Sequence, residues 1–373
     1  MPVEYVRVKP LVDLFSPAIR PTGAVAIIGA ATAGTDDEPV LVASPSDAAT
    51  QFGEAVDATT EPPTLRSALT RAIQTAFRQS PGPTQVWGVK SGSNLATALT
   101  EVEKLEVQFV VLADTRATDQ TVAPSGAIGQ LSAHVTAVSN AGDGKERMGV
   151  AMLEPAALTR PAGTPENERM VYVAHNSDDD VAAAVAGTIA GYDPHVSMVL
   201  KPVAVASAPF TSTQIETING AETFESGPAG KGLNWLTKPA LLPGGGVYLG
   251  EGYTGSASGK KYIDIVRTVD DISFKLKARL IRTIGTQRIS RAGLRGLSVQ
   301  LEAILPREVA EGVIEGYDIV IPLLPLLDAD PRSLSEAQLA EINNAQNDRV
   351  AQVLVAVDYA GAIHRISLQL RFD

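Results

Sequence analysis

Apolar and polar positions follow two different rhythms along this chain. From Ala24 onward, short and nearly continuous apolar runs recur at Ala24–Gly29, Gln85–Val89, Gln108–Leu112, Met148–Leu153, Met170–Val173 and Ser197–Leu200. Runs of this length, rich in Val and Ile, predict strands buried on both faces. Between them, apolar residues return at helical spacing over residues 64–78, 94–105, 126–140 and 179–190. Pro62-Pro63 precedes the first of these helices. Asp178, Asp179 and Asp180 precede the last, where carboxylates favour the positive end of the helix dipole. Strand–helix alternation of this kind predicts a mostly parallel open α/β sheet with flanking helices.

Residues 205–260 break the rhythm. They are rich in Gly, Pro, Ser and Thr, as in Leu242–Gly246 and Thr254–Gly259, and predict turns and a domain boundary near residue 205. Beyond them the pattern predicts an α+β part. Its elements are a strand over 261–267, helices over 270–284 and 293–305, a strand over 316–322, a short helix over 334–346 and two final strands. Ser333 and Glu336 have capping-box spacing for the short helix.

Both chain ends read as strands. Val6 and Val8 lie on one face of the segment from Val3 to Lys9, with Tyr5, Arg7 and Lys9 on the other. Pro10, Pro17 and Pro21 then keep the chain extended. Near the other end, Val353, Val355, Val357 and Tyr359 alternate with Leu354, Ala356 and Asp358. After a turn at Ala360-Gly361, Ile366, Leu368, Leu370 and Phe372 alternate with Arg365, Ser367, Gln369 and Arg371. A strand patterned so regularly must pair with something. The expected organisation is an arm and linker over 1–22, an α/β domain over 23–205 and a third part over 206–373.

Charge adds one local feature. The 373-residue chain carries a formal −11, yet Lys260–Arg295 holds ten basic residues against three acidic ones. In the helix over 270–284, Ile272, Leu276, Leu280 and Ile284 share one side while Lys275, Arg279 and Arg282 share another. Either this is a solvated basic face or it is a docking face for an acidic partner. Overall acidity argues against direct nucleic-acid binding. The chain has no cysteine, which excludes disulfides, iron–sulfur clusters, thiol nucleophiles and cysteine-based zinc sites. No apolar run reaches the ~18 residues a membrane span needs, and Met1–Tyr5 has no signal pattern, so folding in a cytoplasm is expected.

Catalytic chemistry is not evident. The turn Gly29–Gly34 lacks both the Gly-Lys-Ser/Thr ending of a phosphate loop and a dinucleotide glycine pattern. His134, His175, His195 and His364 have no partners at metal spacing. Ser44–Asp47 lacks nucleophile-elbow glycines. Asp178–Asp180 and Asp270-Asp271 read as helix starts. No catalytic, cofactor or metal site is expected. The competing reading is an α/β enzyme that binds a nucleotide-like or acyl ligand at its strand ends; another is a static self-assembling lattice protein.

The chain resembles contractile tail sheath proteins of myovirus-type phages and related injection systems. The residues that carry the resemblance are Pro21–Gly29, Pro39–Val42, Ser46-Asp47 with Phe52-Gly53, and Gln85–Val89, followed by Gly232–Leu236, Tyr262–Ile272 and the strand from Gly361 to Phe372. Their order and spacing run through nearly the whole chain. Two departures stand out. The chain is short for such a sheath, and the Arg-Thr pair that ends a Gly-rich segment in related chains is displaced to Arg267-Thr268 or absent. The resemblance implies a non-enzymatic subunit polymerised as stacked six-fold rings around an inner tail tube, with baseplate and tail terminator proteins as further partners. It implies contraction without nucleotide hydrolysis, for genome ejection or injection through a target envelope, in a virion tail or injection particle made in the host cytoplasm. It also implies exchange of terminal strands between subunits, involving Val3, Tyr5, Val6, Val8, Val355, Val357, Ile366, Leu368, Leu370 and Phe372. The inner, tube-facing residues would be Lys275, Lys277, Arg279 and Arg282.

Overall fold

The computed structural model describes residues 22–57, 59–60, 64–223, 226–228, 230–242, 244–256 and 261–366. Its strands are β1 (Ala24–Gly29), β2 (Pro39–Val42), β3 (Val56–Asp57), β4 (Thr64–Leu65), β5 (Gln85–Lys90), β6 (Phe109–Ala117), β7 (Met148–Leu153), β8 (Met170–Ala174), β9 (Asn234–Thr237), β10 (Tyr248–Leu249), β11 (Gly316–Val320) and β12 (Leu354–Asp358). The helices are α1 (Pro45–Phe52), α2 (Ala68–Phe77), α3 (Leu95–Glu103), α4 (Asp119–Val122), α5 (Ala127–Asn140), α6 (Val181–Gly191), α7 (Ser212–Asn219), α8 (Ile263–Leu280), α9 (Arg291–Glu302), α10 (Leu305–Ala310), α11 (Leu323–Asp328) and α12 (Glu336–Asp348). Two compact units result. The larger takes residues 21–273 and the segment from Tyr359; the smaller takes residues 274–358.

In the larger unit eight strands form one sheet in the order β10-β9-β8-β7-β6-β1-β5-β2. All neighbours are parallel except β2 on β5 and β10 on β9. The apolar runs are continuous because both sheet faces are covered. Val25 and Ile27 pack with Leu69 and Ile73 of α2 and Val185 of α6. Ala24, Ala26 and Ile28 pack with Leu99 and Val102 of α3 and Leu131 and Val135 of α5. This is a three-layer helix–sheet–helix arrangement. The Ala-rich α6 is buried all round, from Val181 to Ala190. Its small residues permit close packing: a Cβ on Gly187 would lie 2.8 Å from the carbonyl oxygen of Ala76.

The smaller unit is built differently. β11 and β12 form a two-stranded antiparallel sheet with Ile319 opposite Val355 and Tyr317 opposite Val357. Its apolar cluster centres on three buried residues, Leu294, Ile321 and Leu323. No residue of α12 is buried.

Several expectations need correction. Ser197–Leu200 is not a strand: Leu200 takes a left-handed φ of 56°, Pro202 offers no donor, and β9 occupies the place beside β8. Most of the run over 261–267 is helical, from Ile263 onward, because Ile263 and Val266 meet the core at i, i+3 spacing as the first turn of α8. Asp270-Asp271 therefore lies inside that helix, and Asp270 is held by a two-pronged pair with Arg169 rather than by a helix dipole. The capping box of α12 uses Ser335 and Gln338, two residues beyond the expected pair. The expected boundary near residue 205 falls inside the larger unit, whose sheet continues through β9 and β10. Residues 361–366 form no strand.

Candidate functional site

The residues expected to act are assembled from the two chain ends and α8. Val3, Tyr5, Val6, Val8, Leu368, Leu370 and Phe372 lie outside the described residues. Val355 and Val357 stand on β12, half-buried and 37% exposed respectively. Ile366 is 77% exposed.

The cationic stretch is divided among several tasks. Lys261 pairs with Glu168. Lys275 donates to the Glu308 carboxylate at 2.7 Å, and the Glu308 side chain is only 3% exposed. Arg291 and Arg295 both hold Asp328. Lys277 and Arg282 are exposed, and Arg279 is half-buried beside them. Of the predicted stripe, Lys275 is thus tied inside its own unit, while Lys277 and Arg282 stand at exposed positions.

The first two turns of α8 hold Thr22 and Tyr359. Arg267, buried, donates to the carbonyl oxygens of Thr22 at 3.2 Å and of Tyr192 at 2.8 Å. Its guanidinium lies 5.4 Å from the ring centre of Phe109, and burial lowers its pKa to about 10. One turn earlier, Asp264 accepts a 2.5 Å hydrogen bond from the Tyr359 hydroxyl. Burial, and then the carboxylate beside it, push the Tyr359 phenol above its ordinary range.

Beyond Tyr359 the chain docks through polar groups. His364 Nδ1 lies 3.0 Å from Glu251 Oε2, and its Nε2 is 2.9 Å from the Ser197 hydroxyl. The imidazole meets the Tyr262 ring edge-on at 4.8 Å. Arg365 reaches Glu251 Oε1 at 2.9 Å and grips Glu222 with Nε at 3.0 Å and Nη2 at 2.6 Å. That two-pronged contact holds the Glu222 carboxyl below its usual range and raises the guanidinium. Sequence reasoning missed Glu251, Glu222 and Asp264 as partners of the C-terminal segment. They lie 95 to 143 residues away from it in the chain, and a lone Glu in a Gly-rich loop gives no signal.

An open cleft of about 510 Å³ lies in the larger unit, lined by Asn176, Asp178, Asp179, Ala206, Ser207, Ala208 and Lys238. His175, next to it in sequence, is fully buried and bound to the Leu153 carbonyl at 2.9 Å. No nucleophile–base pair lines this cleft. Among the described residues no three His, Asp or Glu converge as a metal site, and no helix is long and apolar enough to cross a membrane.

No family model matches the chain, and no curated protein does. Solved structures do. A chain of the anti-feeding prophage helical sheath in its contracted state matches 100% of this chain and 99% of its own, at 14% identity and a TM-score of 0.65. The chain has the tail-sheath fold. The sheath tail protein of Desulfitobacterium hafniense matches 86% of this chain and 93% of its own, at 12% identity and a TM-score of 0.58. That of Listeria innocua matches 90% and 95%, at 14% identity and a TM-score of 0.53. In this sheath fold the larger unit is a well-filled α/β body, and the smaller one carries the cationic end of α8 and the two-stranded sheet.

Proposed function

We propose that the protein is the structural subunit of a contractile tail sheath. Copies polymerise as stacked six-fold rings around an inner tube and shorten without nucleotide hydrolysis to drive the tube through a target envelope. The observation that carries this reading is the incompleteness of the smaller unit. A two-stranded sheet is marginal in water, and among the described residues no further strand pairs with either edge of β11–β12. Val320 and Leu354 are each 51% exposed at its end. The sheet gains most if a neighbour's terminal strand is added to it. A strand of five residues supplies about five backbone bonds at ~0.5–1.5 kcal/mol each. Each fully covered apolar side chain on the segment Ile366, Leu368, Leu370 and Phe372 adds ~1.5–3 kcal/mol. The N-terminal segment with Val3, Tyr5, Val6 and Val8 has the pattern to add a further strand.

Lys277, Arg279 and Arg282 face the acidic exterior of the tube. Exposed charge pairs at ~0.2–1 kcal/mol suit a contact that must hold before contraction and let go during it. The baseplate and the tail terminator bound the two ends of the assembly.

Removing residues 366–373 tests the reading. The expected product is a soluble, folded subunit that forms no tubes in negative-stain micrographs. Full-length tubes from the truncated protein would end the strand-exchange mechanism.

A further inference from the structure

The C-terminal segment leaves the smaller unit after Asp358 and rejoins the larger one at Tyr359. We infer that residues 359–365 are a fixed root that keeps the C-terminal arm on its own subunit, so that exchange begins at Ile366. This rests on the sheath reading and adds to it the point at which the arm parts from its owner.

The root is built of groups that cannot leave one at a time. Glu251 is 1% exposed, and each of its carboxylate oxygens is engaged, Oε2 by His364 and Oε1 by Arg365. A buried carboxylate needs its cation, and removing the cation is far more costly than never having buried the pair. Arg365 is itself forked onto Glu222 with its remaining edge. Peeling the segment would therefore strand Glu251 and break the Glu222 fork together. It would also leave Asp264, 3% exposed, without the Tyr359 hydroxyl. Apolar contact does not hold this segment: Ile363 and Ile366 are 78% and 77% exposed. Among the described residues the hold is made of charge, hydrogen bonds and the His364–Tyr262 ring contact, and its last member is Arg365.

Two consequences follow. Asp264 and Arg267 lie one turn apart on α8 and hold Tyr359 and Thr22, so both arms are rooted on the same two turns of one helix. Phe372 is seven residues beyond Arg365, which limits its reach to about 25 Å even when fully extended. The accepting sheet of the neighbour must lie within that distance of the root.

The absence of native cysteine makes a direct test possible. Glu222→Cys and Arg365→Cys are introduced together and bridged by a cleavable bis-maleimide. The bridged subunit is expected to form tubes to the same extent as the cleaved one. A bridged subunit that stays monomeric and assembles only after cleavage would overturn the fixed root. Hydrogen exchange of residues 359–366 in the free wild-type subunit decides independently of assembly. These amides are expected to exchange at least ~tenfold more slowly than in the Glu251→Gln, Arg365→Met variant. Equal rates would overturn the root. Failure of the wild-type protein to form tubes would instead end the sheath reading, with the exchange rates still deciding whether the root exists.

Discussion

Single residues in the larger unit set an acid limit on its stability. His134 lies on α5 with Nε2 3.4 Å from Nη1 of Arg147. Arg147 is fully buried and fixed by the carbonyls of Val102, Leu105 and Lys145. Burial first, and then the Arg147 charge, lower the imidazole pKa from 6.5 to about 4. Between those two values the unfolded chain binds a proton that the folded chain refuses. The stability is fully present above about pH 6.5 and falls as pH drops toward 4. After allowing for partial solvent access, the loss between pH 7 and 5 comes to about 1–2 kcal/mol. Urea unfolding followed across that range should show a smaller loss in His134→Gln than in the wild type. His175, lowered by its own burial, leaves the variant some residual slope. Identical slopes in the two proteins would remove His134 as the cause.

At the scale of elements, α8 separates what the sequence announces from what it conceals. Its apolar and basic faces are legible as periodicity, because spacing along a helix is a local property. Its start is not, since Tyr262–Val269 is rich in β-branched residues and only the core contacts of Ile263 and Val266 decide for helix. The strands β1, β5, β6, β7 and β8 are legible for the opposite reason: each is buried on both faces and so reads as one apolar run. β9 is hidden, with Asn234 as a buried strand residue bonded to the Tyr172 and Tyr253 carbonyls. The destination of each basic residue is likewise hidden, because ion pairs such as Lys275–Glu308 join distant positions. This matters for the proposed tube contact. Lys275→Met is expected to destabilise the smaller unit by about 3 kcal/mol, because it strands the buried Glu308 carboxylate. Adding Glu308→Gln should recover most of that loss in a denaturant titration; no recovery would mean the pair is not what Lys275 contributes. Lys277→Glu and Arg282→Glu, both at exposed positions, should leave the fold intact and abolish co-sedimentation with tubes at about 0.1 M salt. Binding that is indifferent to both substitutions and to salt would refute the electrostatic contact.

On the scale of the whole molecule, the two units differ in how far each can satisfy itself. The larger has a sheet covered on both faces and a helix, α6, with no exposed side. The smaller has few buried residues, an α12 with none, and a sheet of two strands. Buried apolar surface is the main favourable term in folding, so local opening should be far easier in the second unit than in the first. Under the proposed sheath function such a division is useful: a rigid body would carry a part that stays open to neighbours until they complete it. Hydrogen exchange of the free subunit should show β1, β6, β7 and β8 protected to the limit of global unfolding. Amides of β11, β12 and α12 should exchange at least ~100-fold faster. In assembled tubes β11 and β12 should approach the protection of the large sheet, while α6 should not change. If β11 and β12 are already protected like β1 in the free subunit, the smaller unit is complete on its own and has no need of a donated strand.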